Sequence, residues 1–76
     1  MTVKAYVLIQ TNLGKGRDVS KAIAKVPGVK RVHAVTGVYD VIAYLELPNM
    51  TSLSDVMIRK IQSVKNVERT HTAIAI

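Results

Sequence analysis

The chain repeats itself. Shifted by half of its 76 residues, "VPGVKRVHA" from Val26 falls on "VKNVERTHT" from Val64, so Val29 meets Val67, Arg31 meets Arg69 and His33 meets His71. Val3, Ala5 and Tyr6 fall on Val41, Ala43 and Tyr44, and Ile23 falls on Ile61. Gly28 falls on Asn66, and both residue types tolerate the left-handed backbone that ends many helices. A duplicated pattern restricts the chain to folds built from two similar halves.

Local periodicity says what each half contains. "VKAYVLIQ" reads as a strand, and Arg17 to Val26 as a helix whose apolar positions Val19, Ala22, Ile23 and Val26 follow helical spacing. "VKRVHAVT" and "YDVIAYLEL" are strands around a short Thr36-Gly37 hairpin turn, which puts Asp40 at the start of the third strand. A second helix is expected from about Ser52 to Val64, with Leu53, Val56, Met57, Ile61 and Val64 on one stripe and Thr51 or Ser52 as its cap. "VERTHTAIAI" supplies a fourth strand. Two β-α-β halves make an α+β, ferredoxin-like βαββαβ domain spanning residues 1–76. Its four-stranded antiparallel sheet has the order 4-1-3-2, with both helices on one face.

Alternation assigns the two faces of that sheet. Val3, Ala5, Val7 and Ile9 of the first strand, with Val41, Ala43, Leu45 and Leu47 of the third, belong under the helices. Tyr6, Leu8, Ile42 and Tyr44 face the other way, and Ile74 and Ile76 are expected beside them. So small a domain buries only about 60 % of its unfolded surface. Yet 49 % of its residues are apolar. A second buried surface is therefore expected between subunits, with Tyr6, Leu8, Ile42 and Tyr44 at a sheet-to-sheet dimer interface. The absence of cysteine excludes disulfides, thiolate catalysis and cysteine-bound zinc. No signal peptide or membrane span is visible, so a cytoplasmic protein is expected.

Several clusters invite a sharper reading. His33 and His71 could ligate a metal, but their strands are opposite edges of the expected sheet, roughly 14 Å apart. That is too far for an ion shared within one subunit, so structural or exposed histidines are the better reading. Only an intersubunit site stays open, and no metal or other cofactor is expected. Tyr6 and Tyr44 could stack bases, but "YDVIAYLEL" lacks the aromatic signature of RNA-recognition domains. Packing at an interface suits their aliphatic neighbours better. A net charge of +6 and the stripe Arg17, Lys21 and Lys25 would suit an anionic partner. A solvated helix face accounts for that stripe equally simply. "LGKGR" offers glycines and cations at a helix entrance but matches no phosphate-binding fingerprint. No nucleophile is paired with a base, so an enzyme is not expected.

Asp40 is different. A carboxylate beside so much apolar surface needs a partner. The Thr-Gly turn next to it leaves backbone donors free, and an acid with free N–H groups could hold a small zwitterion. The plainer alternative is a polar residue at a strand edge, or a carboxylate that caps the turn.

"GVKRVHAVTGVYDVIAYLEL", followed by a helix and "VERTHTAIAI", resembles the effector-binding RAM domain of the Lrp/AsnC (feast/famine) transcription regulators. The resemblance covers essentially the whole chain, and its markers are the "TGxYD" turn and the "T-x-T" of the last strand. It implies a dimer built sheet to sheet, further assembly into an octamer or similar ring, and an amino acid or related metabolite bound where dimers meet. It implies ligand contacts from Thr36, Gly37, Val38, Tyr39 and Asp40, and from Thr70 and Thr72. Val38 stands where the family often has a polar or acidic residue. The helix-turn-helix domain of full-length members has no counterpart in this sequence. The implied role is a stand-alone sensor that modulates full-length regulators by co-assembly, without binding DNA directly. Direct nucleic-acid binding through the basic helix and a small ferredoxin-like enzyme are the competing functions. The related ACT domain is a competing family with similar chemistry.

Overall fold

The computed structural model describes residues 2–76. Strand β1 spans Val3–Thr11, helix α1 Gly16–Ile23, strand β2 Val29–Ala34 and strand β3 Val41–Leu47. Helix α2 spans Met50–Asp55 and continues as a π-helical stretch, Val56–Ile61, before strand β4, Val67–Ile74. The strands form one antiparallel sheet in the order β2-β3-β1-β4, the expected 4-1-3-2 read from the other edge. Among the described residues, no helix is long and apolar enough to cross a membrane.

The duplication is visible in the packing. Repeat-related pairs fill the core: Ala5 with Ala43, Val7 with Leu45, Ile9 with Leu47, Val19 with Met57, and Ile23 with Ile61 are all buried. On the central ladder Tyr6 pairs with its own repeat mate, Tyr44, so the pseudo-two-fold axis of the domain passes between them. Helix exits match too. The N–H of Val26 bonds the Ile23 carbonyl at 3.0 Å, and that of Val64 bonds the Ile61 carbonyl at 3.1 Å. Gly28 and Asn66 then take positive φ, +93° and +74°. These i→i−3 bonds tighten each helix end, which is why α1 stops at Ile23 short of the expected Val26.

Gly28 has a second constraint, because a Cβ there would stand 2.6 Å from Leu47 Cδ2. Gly28→Ala is expected to lose about 1–3 kcal/mol, from the left-handed backbone and the clash together. At Asn66, whose side chain already occupies that backbone region, a glycine should be nearly neutral. Thermal denaturation of the two variants checks the contrast.

Other expectations are corrected. The second helix starts earlier than Ser52 because neither Thr51 nor Ser52 caps it: the Asn49 carboxamide accepts the Ser52 N–H at 2.8 Å. Its second half is π-helical, with the Gln62 N–H reaching back five residues to the Met57 carbonyl at 2.8 Å. The third strand begins at Val41, so Tyr39 and Asp40 belong to the turn before it. Ile74 pairs with Ala5 and therefore lies on the helix-bearing side rather than beside Tyr6, while Ile76 lies beyond β4. Register decides this, since Thr70, Thr72 and Ile74 oppose the core residues Ile9, Val7 and Ala5.

Candidate functional site

Opposite the helices, the sheet presents a mixed face. Tyr6 is 49 % exposed, while Leu8, Ile42 and Tyr44 are half-buried. The two tyrosine rings meet at 5.0 Å between centroids. Tyr44 donates its phenol proton to Glu46 Oε2 at 3.0 Å. Desolvation first, and then that hydrogen bond and the Glu46 charge, hold the phenol above its ordinary pKa. A shallow depression of about 370 Å³ lies here, where Arg31, His33 and Glu46 ring Tyr6, Ile42 and Tyr44. Arg31 and His33 reach this face because they pair with Tyr44 and Ile42, an outcome that alternation along the second strand is enough to predict. The face is thus an apolar centre with a charged rim.

The second region surrounds Asp40. Its N–H donates to the Ile9 carbonyl at 2.9 Å, and its own carbonyl accepts the Val35 N–H at 2.8 Å, which closes the hairpin loop. Its carboxylate Oδ2 accepts the Thr11 N–H at 2.7 Å. One oxygen therefore secures the end of β1, a strand distant in sequence, rather than capping its own turn. The other oxygen has no partner among the described residues. Asp40 and Thr36 share a depression of about 570 Å³ with Thr11, Gly14, Gly16 and Arg17. The "LGKGR" segment, too generic to be assigned from sequence, is one wall of it.

The remaining expected ligand residues are dispersed. Val38 is 78 % exposed at the loop tip, and its carbonyl accepts the Gln10 side chain at 3.2 Å. Tyr39 turns its ring edge-on to His71, at 5.7 Å between centroids. Gly37 sits at the tip with φ +129°. Thr70 Oγ1 accepts the Gln62 carboxamide at 3.3 Å. Thr72 lines a separate groove with Met57, Ile58 and Ile74. Within one chain the turn and the two threonines line different depressions, because β1 lies between β3 and β4. His33 and His71 stand on the edge strands β2 and β4, and no cluster of three potential metal ligands occurs among the described residues.

Comparison with known proteins bears on this arrangement. The family model for the Lrp/AsnC ligand binding domain matches residues 4–76. The HTH-type transcriptional regulator LysM of Saccharolobus solfataricus is 36 % identical over 73 residues, covering 95 % of this chain and 51 % of LysM. The chain spans about half the length of the curated relatives it matches. The crystal structure of TTHA0845 from Thermus thermophilus superposes with a TM-score of 0.92 at 38 % identity, covering 97 % of this chain and 92 % of that one. The transcriptional regulator NMB0573 of Neisseria meningitidis, solved as a complex with L-Met, shares the fold with a TM-score of 0.85 at 17 % identity, over 97 % of this chain and 49 % of that one. The matched model describes a ligand-binding domain, and the curated relatives are HTH-type transcriptional regulators.

Proposed function

Since the chain belongs to the Lrp/AsnC family as a ligand-binding domain, we propose that it is an oligomeric sensor of a free amino acid or a closely related metabolite. The observation that carries this reading is the state of Asp40. Half-buried Asp40 lines a depression large enough for an amino acid, with one carboxylate oxygen committed to the Thr11 N–H and the other without a partner among the described residues. The N–H of Thr36, which lines the same depression, has no partner among the described residues, which leaves a donor for a carboxylate beside an acceptor for an ammonium group. The L-Met complex of the Neisseria regulator lends support from a protein of the same fold.

Self-association follows from the open face. Tyr6, Leu8, Ile42 and Tyr44 form the centre of a sheet-to-sheet dimer, and Arg31, His33 and Glu46 its polar rim. Dimers then assemble into an octamer or similar ring, in which Thr70 and Thr72 of one copy complete the site at the Thr36–Asp40 turn of another. Their separation within one chain supports a site shared between copies. Ligand occupancy modulates transcription regulators of the same family, which co-assemble through these surfaces.

A thermal-shift panel of the twenty amino acids at millimolar concentration tests the sensor. A ligand present at about a hundred times its Kd adds about 2.7 kcal/mol of stability, so a responder is expected to raise Tm by several degrees. Silence from all twenty would sink the amino-acid reading.

A further inference from the structure

Resting on the amino-acid reading above, we propose that Arg17 holds the ligand's carboxylate, so that the depression beside Asp40 selects an α-amino acid over the amine that lacks the carboxylate. Arg17 and Asp40 line the same depression of about 570 Å³ from different elements, α1 and the turn before β3. They form no ion pair with each other, whereas elsewhere Arg59 and Asp55 do, at 2.7 Å. A cation and an anion that share a concavity without neutralising each other suit a small molecule carrying both charges. The Thr36 N–H offers a donor without net charge, while a guanidinium adds charge and a planar pair of donors that match a carboxylate.

The local structure gives Arg17 no other task. It is exposed and occupies the first turn of α1, where a cation works against the helix dipole. The start of its helix is nonetheless set against the Asp40 turn. A Cβ at Gly16 would lie 3.5 Å from the Asp40 carbonyl oxygen and 3.6 Å from the Asp40 Cβ. Gly14, with φ +76° and open space around it, keeps the wall of the depression free of side chain. The duplication sharpens the contrast. The repeat puts Asp55 where the first half has Arg17, and Asp55 is engaged by Arg59 on its own helical segment. Core pairs survived the duplication; this cation beside the open carboxylate belongs to one half alone.

Calorimetric titration of the intact chain with matched pairs decides the question: each amino acid that responds in the panel against its decarboxylated amine, such as L-methionine against 3-(methylsulfanyl)propylamine or L-leucine against 3-methylbutylamine. The wild-type protein is expected to prefer the amino acid by about tenfold or more, the scale of one partly exposed charge-assisted contact. Arg17→Ala should lose about that factor for the amino acid and leave the amine unchanged, with Arg17→Lys recovering part of it. Asp40→Asn should weaken both members of the pair together, because both carry the ammonium. An Arg17→Ala protein that keeps the wild-type preference would overturn the assignment of Arg17 and leave that of Asp40 standing. A wild-type protein silent to all twenty amino acids would overturn both. Unchanged Tm without ligand and unchanged elution on size exclusion are expected of Arg17→Ala, since the side chain has no ion-pair partner among the described residues to lose.

Discussion

Asp40→Asn is expected to weaken amino-acid binding roughly 10- to 100-fold while the domain stays folded and assembled. The carboxylate has one task in the fold and, in the proposed site, a second, and they fall on different oxygens. Oδ2 accepts the Thr11 N–H at 2.7 Å and ties the end of β1 to the hairpin loop. The other oxygen is the one that the proposed site offers to an ammonium group. Alanine would remove both, leaving a half-buried N–H without its partner at a loss of about 1–3 kcal/mol. Lost binding in Asp40→Ala would then report on the turn as much as on the ligand. Asparagine keeps a carbonyl oxygen for Thr11 and removes only the charge. A hydrogen bond to a charged group contributes about 1.5–3 kcal/mol, which sets the expected factor. Calorimetry on a responding amino acid gives the answer, and wild-type affinity in Asp40→Asn would end the role assigned to this residue.

Ile42→Lys is expected to leave a folded monomer in place of the proposed sheet-to-sheet dimer. Ile42 lies at the middle of the open face, opposite Leu8 on β1 and His33 on β2. It is half-buried within one chain, so a lysine there can extend its head into water and leave the core under the helices untouched. In a sheet-to-sheet dimer that escape closes. The ammonium would be desolvated beside Arg31 and His33, which share its depression, and near its own copy across the two-fold. An uncompensated buried charge is worth about 3–5 kcal/mol, a weakening of self-association by at least about 100-fold. Sedimentation velocity reads this directly. A dimer that persists in Ile42→Lys would move the interface to another surface, with the exposed edge of β4 and its neighbouring groove the next to test.

Much of this molecule follows from local patterns. The offset repeat, the period-two strands and the helical stripes determined the βαββαβ order, the strand order and the whole helix-facing core. Burial periodicity and turn chemistry are properties of short segments, and a buried face fixes the register of each central strand. Gly28 and Asn66 were legible as equivalent helix exits for the same reason. The edge strand β4 was not legible in this way. Thr70, Thr72 and Ile74 on one side and His71 and Ala73 on the other are nearly all exposed, so neither side carries a strong hydrophobic instruction. Only pairing with β1 placed Ile74 with the core side. The start of the second helix was missed because Asn49, Thr51 and Ser52 are all competent caps, and the geometry of the chain leaving β3 chose among them.

The sequence also singled out Asp40, since an acid among apolar neighbours is conspicuous on its own. What surrounds Asp40 was out of its reach. Thr11, Gly16 and Arg17 stand more than twenty positions away, and they meet it only because β1 pairs with β3 and α1 returns across the sheet. Periodicity records which side of an element is buried, and that is settled within a few residues. A binding site is settled by which elements end next to one another, and only the folded chain decides that.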